Sequence, residues 1–69
     1  MIITINGKEE VVPESISVTE LLIEKDVETP EMVSVELNDE ILDRIIFETT
    51  YLKKDDQVEF LYFMGGGIS

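Results

Sequence analysis

One stretch of this sequence has both a helical period and a marked helix start, and it is short. Ser17 is a good N-cap, and Glu20, three residues on, completes a capping box in which each side chain answers the other's backbone N–H. Ile16, before the cap, is placed to pack on Leu21 as a hydrophobic staple. Val18, Leu21 and Leu22 form the apolar stripe, and Glu20, Glu24 and Lys25 are left for water. Asp26-Val27-Glu28-Thr29-Pro30 ends the helix. A helix of about ten residues does not hold alone in water, so the rest of the chain must supply a surface for its stripe. That surface is a sheet, because the remaining apolar residues come in short runs bounded by turn residues.

The runs can be placed in order. Met1-Ile2-Ile3-Thr4-Ile5 reads as a strand with Met1, Ile3 and Ile5 on one face. Asn6-Gly7 is a strong hairpin signal, since a type I′ turn needs positive φ at both central residues. Glu10-Val11-Val12 returns, and Pro13, which has no N–H to donate, closes that strand. After the helix, Met32 to Leu37 forms a strand with Val33, Val35 and Leu37 on one face. Asn38-Asp39-Glu40 turns the chain into a short strand at Ile41-Leu42. From Asp43 to Leu52 the expectation is an irregular segment or short strand, with Ile45, Ile46, Phe47, Tyr51 and Leu52 covering one side of the core. Lys53 to Gln57 is a polar turn, and the last strand runs from Val58 to about Phe63. A crossover through the helix is expected to set the first and third strands parallel. The predicted architecture is α+β: a mixed four- to five-stranded sheet with one main helix across one face. It forms a single domain over residues 1–63, with a Gly-rich tail over 64–69.

Composition narrows the function. The chain has 69 residues, enough for one modest core but not for a deep catalytic cavity. It has no cysteine and no histidine, which removes disulfides, thiolate metal sites and the commonest acid–base group. Sixteen acids against five bases give a net charge of −11, spread along the chain. That charge argues against nucleic acid, where phosphate neutralisation supplies the affinity, and suits steered encounter with a basic protein surface. The apolar runs are far shorter than the roughly 20 residues of a membrane span, and the amino terminus has no signal-peptide pattern, so a cytoplasmic setting without membrane contact is expected. The adjacent carboxylates Glu9-Glu10, Asp39-Glu40 and Asp55-Asp56 read as solvated turns. A catalytic pair must converge from separate elements with one pKa raised by burial. Asn38-Asp39-Glu40 lacks the rest of a calcium loop.

The end of the sequence differs. Phe63-Met64-Gly65-Gly66-Gly67-Ile68-Ser69 follows directly on the most hydrophobic run in the chain. Glycine buries no side chain, so three in a row do little for packing. They do make a thin strap: Met64 to Gly67, extended, reaches about 13 Å. Gly65 and Gly66 would thread a slot too narrow for side chains and leave the carbonyl of Gly67 unhindered. The plain alternative is a chain end with no chemistry. Beside the strap, Leu61 and Phe63 fall on the face of the last strand opposite the core, and Met64 follows. These three are the candidate partner-binding residues. The competing reading has them covered by the chain's own irregular segment.

The pieces Ile5-Asn6-Gly7, Ser17-Val18-Thr19-Glu20-Leu21-Leu22, Val35-Glu36-Leu37-Asn38 and Asp56 to Gly67 occur in this order in a very short chain. Over Met1 to Gly67 the sequence resembles the ThiS family of sulfur carriers, within the ubiquitin-like β-grasp superfamily. The resemblance implies a β-grasp fold and a carrier that is not itself an enzyme. It implies no bound cofactor. An E1-like adenylating enzyme of the ThiF type would use ATP and magnesium to form an acyl-adenylate at Gly67. A sulfur donor system would convert that to a thiocarboxylate, and a thiazole synthase of the ThiG type would take the sulfur for thiamine. Gly66-Gly67 match the family's terminal pair, and Ile68-Ser69 depart from it. An internal Gly67 carbonyl is an amide, so the expectation is that a peptidase removes the dipeptide. Related readings are a carrier for molybdopterin or tRNA thiolation, and a non-covalent ubiquitin-like binding module.

Overall fold

The computed structural model describes residues 1–27 and 30–62. Strand β1 (Ile2–Ile5) and strand β2 (Lys8–Val11) form the first hairpin, with Ile5 opposite Lys8 and Ile2 opposite Val11. The turn has Asn6 at φ 52° and Gly7 at φ 81°, the two positive angles that the Asn-Gly pair predicts. Helix α1 (Val18–Glu24) follows, then strand β3 (Val33–Leu37), the two-residue strand β4 (Glu40–Ile41) and strand β5 (Gln57–Tyr62). Short 3₁₀ segments occupy Pro30–Met32 and Arg44–Thr49.

The capping box at the start of α1 is complete. Ser17 Oγ accepts from the Glu20 N–H at 3.1 Å, and the Ser17 N–H donates to Glu20 Oε1 at 2.9 Å. Val18, Leu21 and Leu22 are the buried residues of the helix, as their spacing requires. The helix is shorter than expected because Lys25 already leaves helical geometry, and Asp26 turns the chain at φ 56°. Lys25 is also drawn off the wet side, where it pairs with Glu10 of β2.

The five strands run in the order β2-β1-β5-β3-β4. β5 lies at the centre, parallel to β1 and antiparallel to β3. This corrects the expected parallel relation of the first and third strands: β3 runs opposite to β1. The helix carries the chain from the end of β2, not of β1, so the strands related across it as parallel are β2 and β3. The core lies between the sheet and α1. Ile3 and Ile5 of β1, Val33 and Val35 of β3, and Val58 and Phe60 of β5 face Val18, Leu21 and Leu22. Strand boundaries shift by a residue or two. Val12 is buried but lies beyond β2, and β4 takes Glu40 in place of Leu42.

The 43–52 segment is also corrected. Of the five apolar residues expected to cover the core, Phe47 and Leu52 are buried, whereas Ile45, Ile46 and Tyr51 are exposed, Ile45 at 85%. The cause is local. Asp43 caps a 3₁₀ turn by accepting from the Ile45 N–H, and a three-residue period points only one side chain in three inward. The segment is then tied to the start of α1. The Val18 N–H donates to Thr50 O at 3.0 Å and the Leu52 N–H to Ile16 O at 2.8 Å. Arg44 adds a brace to the strand start, donating to the carbonyls of Pro30 at 2.8 Å and Val33 at 2.7 Å.

Candidate functional site: the open sheet face and the strand that leads to the glycines

Strand alternation sends Val58 and Phe60 of β5 into the core and leaves Glu59 and Leu61 on the other side. Leu61 is 42% exposed, so the chain's own irregular segment does not cover it. Phe63, Met64, Gly65, Gly66 and Gly67, the remaining candidate site residues, lie outside the described residues. Of the predicted set, then, the structure places Leu61, on the open face of the central strand.

That open face is the side of the sheet away from α1. It carries Leu61 beside Ser34, Glu59 directly opposite Glu36, and Ile41 opposite Glu36 on the far side. Farther across, Ile2 and Val11 are paired and both exposed, and Thr4 lies opposite Glu9. Two like charges directly opposite each other on neighbouring strands disfavour the sheet. The Glu36–Glu59 pair therefore works against the sheet in isolation, but it sets negative charge beside an exposed leucine. An exposed apolar side chain with two carboxylates to one side complements a partner surface with an apolar pocket and a basic flank.

How β5 is held was not foreseen from the sequence. Two asparagines, one in each hairpin turn, reach it with their side chains. Asn6, at φ 52°, accepts the Phe60 N–H on Oδ1 at 2.9 Å, and its own N–H donates to Val58 O at 2.9 Å. Asn38, also at φ 52°, accepts the Gln57 N–H on Oδ1 at 2.9 Å, and its Nδ2 donates to Asp56 Oδ1 at 3.1 Å. Each extends a neighbouring strand by one side-chain rung after that strand has turned away. Asparagine is suited to this, because its short polar side chain tolerates the left-handed region and carries an acceptor. The signal was present as Asn6-Gly7 and Asn38-Asp39, but a turn motif specifies backbone angles and says nothing of where the amide points.

Of the adjacent carboxylates, Asp39-Glu40 and Asp55-Asp56 lie at turns, whereas Glu9-Glu10, expected as a turn, lies in strand β2, where Glu10 pairs with Lys25. Asp39 and Asp55 are exposed at φ 72° and 70°, and Asp56 accepts the Lys53 N–H at 2.8 Å. Among the described residues no group of three or more His, Cys, Asp or Glu is placed to hold a metal ion. A shallow hollow of about 480 Å³ beside α1 is lined by Pro13, Ile16 and Ile23 with Glu14, Glu20 and Glu24. Ser15 also lines it. No helix among them is long and apolar enough to cross a membrane.

Comparison with known proteins agrees with this architecture. Residues 2–67 match the model of the ThiS family. A crystal structure of the thiamine biosynthesis protein (ThiS) from Geobacter metallireducens is 54% identical, with a TM-score of 0.88, covering 97% of this chain and 100% of that one. An NMR solution structure of a thiamine biosynthesis protein from the same organism is 52% identical, with a TM-score of 0.81, covering 100% of this chain and 91% of that one. Among curated relatives, the uncharacterized protein ycf40 of Pyropia yezoensis is 46% identical over 37 residues, 54% of this chain and 52% of that protein, so the match spans about half of its length. With a β-grasp sheet in the order found here and a family match running through the last glycine, the chain belongs to the ThiS family.

Proposed function

We propose that the chain is a sulfur carrier of thiamine biosynthesis whose working group is the backbone carboxylate of Gly67. One observation carries this reading: the central strand of the sheet, gripped from both sides, is the strand whose sequence runs directly into Gly65-Gly66-Gly67. Membership of the ThiS family and the place in thiamine biosynthesis of its Geobacter metallireducens relative support it. The family is one of carriers acted on by enzymes, and the work of this fold is to present a chain end.

The chemistry follows from the weakness of a carboxylate as an electrophile. In the proposed sequence, removal of Ile68-Ser69 first exposes the acid of Gly67. In the active site of an adenylating enzyme of the ThiF type, with ATP and magnesium, a carboxylate oxygen attacks the α-phosphorus. An acyl-adenylate forms and pyrophosphate leaves. Hydrosulfide supplied by the donor system then adds to the carbonyl and AMP departs, leaving a thiocarboxylate; where the donor presents a persulfide, the acyl disulfide formed as AMP departs is cleaved by a thiol reductant to the same thiocarboxylate. A thiazole synthase of the ThiG type takes the sulfur. Gly65 and Gly66 allow entry to a narrow channel, and Leu61, with Phe63 and Met64, supplies docking area on the open face. The acidic surface steers encounter with a basic enzyme in the cytoplasm.

Bulk at the strap tests the proposal. Gly66→Phe and Gly67→Phe variants, supplied in place of the parental chain to a reconstituted thiazole-forming system, are expected to abolish product. Product formation at the parental rate would show that the glycines do not enter a reaction centre.

A further inference from the structure

We propose that Asn6 is a positioning residue for the chemistry of the tail: its side-chain carbonyl fixes β5 at Phe60, and so fixes the direction in which the strand leaves the sheet. The inference rests on the carrier reading above and adds a residue that makes no contact with the reacting atoms. β1 ends at Ile5, which is paired with Val58, whereas β5 continues through Glu59 to Tyr62. Past Ile5 the chain turns away at Asn6, and no backbone carbonyl is left on that side to take the next N–H of β5. Asn6 Oδ1 takes it instead, at 2.9 Å. Among the described residues this is the last hydrogen bond that β5 receives from the β1 side before the sequence reaches the glycines. On the other side Phe60 remains paired with Val35 of β3. Loss of the Asn6 amide therefore leaves β5 beyond Val58 held by β3 alone, through Val35–Phe60, Ser34–Leu61 and Val33–Tyr62, so that nothing on the β1 side sets the angle at which the strand leaves the sheet.

Asn38 provides a control built into the same fold. It uses the same residue type, the same φ of 52° and the same Oδ1 acceptor, but it grips Gln57 at the start of β5, away from the glycines. If these side chains served stability alone, removing either would have the same consequence for the tail. If Asn6 positions the tail, the two will differ.

The test uses Asn6→Gly, Asn6→Asp and Asn38→Gly. Glycine keeps the left-handed angle and removes the acceptor, whereas aspartate keeps both. In the full chain, amide exchange at Phe60 should quicken about fivefold in Asn6→Gly and stay near parental in Asn6→Asp. In the form ending at Gly67, pyrophosphate release with the adenylating enzyme should show kcat lowered about tenfold in Asn6→Gly with KM within about twofold, because docking is kept and presentation is lost. Asn6→Asp should restore kcat. Asn38→Gly should leave kcat near parental although exchange at Gln57 quickens. Parental kcat in Asn6→Gly, or an equal loss in Asn38→Gly, overturns the proposal. A parental chain that releases no pyrophosphate at all overturns the carrier reading itself, and this inference with it.

Discussion

Replacing Leu61 by lysine separates a docking residue from a folding residue. Leu61 is 42% exposed. Full burial of a leucine side chain stabilises by about 1.5–3 kcal/mol, so a partner that covers the remaining fraction gains about 0.6–1.3 kcal/mol from it. The substitution removes that gain, which corresponds to a weakening of about three- to eightfold, and adds a positive charge against a basic surface. In the free protein the effects run the other way. The lysine stem keeps covering the neighbours that Leu61 covers, and its ammonium sits beside the Glu36–Glu59 pair, relieving like-charge repulsion. Calorimetric titration of L61K into the adenylating enzyme should therefore show at least about a threefold loss of affinity. The melting temperature should stay within about 4 °C of the parent, equivalent to under 1 kcal/mol in a domain of this size. Unchanged affinity would refute the docking role. A large fall in melting temperature would show that Leu61 belongs to the fold.

Other outcomes follow from burial and capping. Ser17→Ala removes the Oγ that accepts the Glu20 N–H, at a buried site, while the bond from the Ser17 N–H to Glu20 Oε1 can persist; it should cost about 0.5–2 kcal/mol, read as a lower urea midpoint at unchanged slope. Leu21→Ala, at a side chain with no exposure, should cost about 2–5 kcal/mol by the same assay, a large share of the stability of so small a domain. Ile45→Ser should change stability by less than about 0.5 kcal/mol, because Ile45 points into solvent despite its apolar character; a core-sized loss would contradict the 3₁₀ geometry.

Features set by local rules were legible in the sequence. The Asn6-Gly7 turn, the Ser17–Glu20 capping box and the buried Val18-Leu21-Leu22 stripe each follow from a period or a pairing within a few residues, and each is found. The strand relations are long-range. That β5 pairs with β1 as well as β3 depends on where the helix delivers the chain, and reading the crossover from β1 in place of β2 reversed the third strand. The 43–52 segment misled for a different reason. Ile45 and Ile46 are apolar, but the Asp43 cap commits the backbone to a tight turn that cannot aim them inward, and Tyr51, past that turn, is exposed where it bridges to Ser17. At the candidate site, Leu61 was placed correctly by alternation alone. The asparagine grips on Gln57 and Phe60 were invisible, since each joins residues far apart in sequence: Asn6 and Phe60 are separated by 54 positions.

The account turns on Gly67. Chain ending at that residue, incubated with the adenylating enzyme, ATP, magnesium and the sulfur donor system and followed by intact mass, should gain AMP and then settle at a mass in which one oxygen has been replaced by sulfur. A mass that never changes, with the adenylating enzyme shown to be active on another carrier, would contradict it.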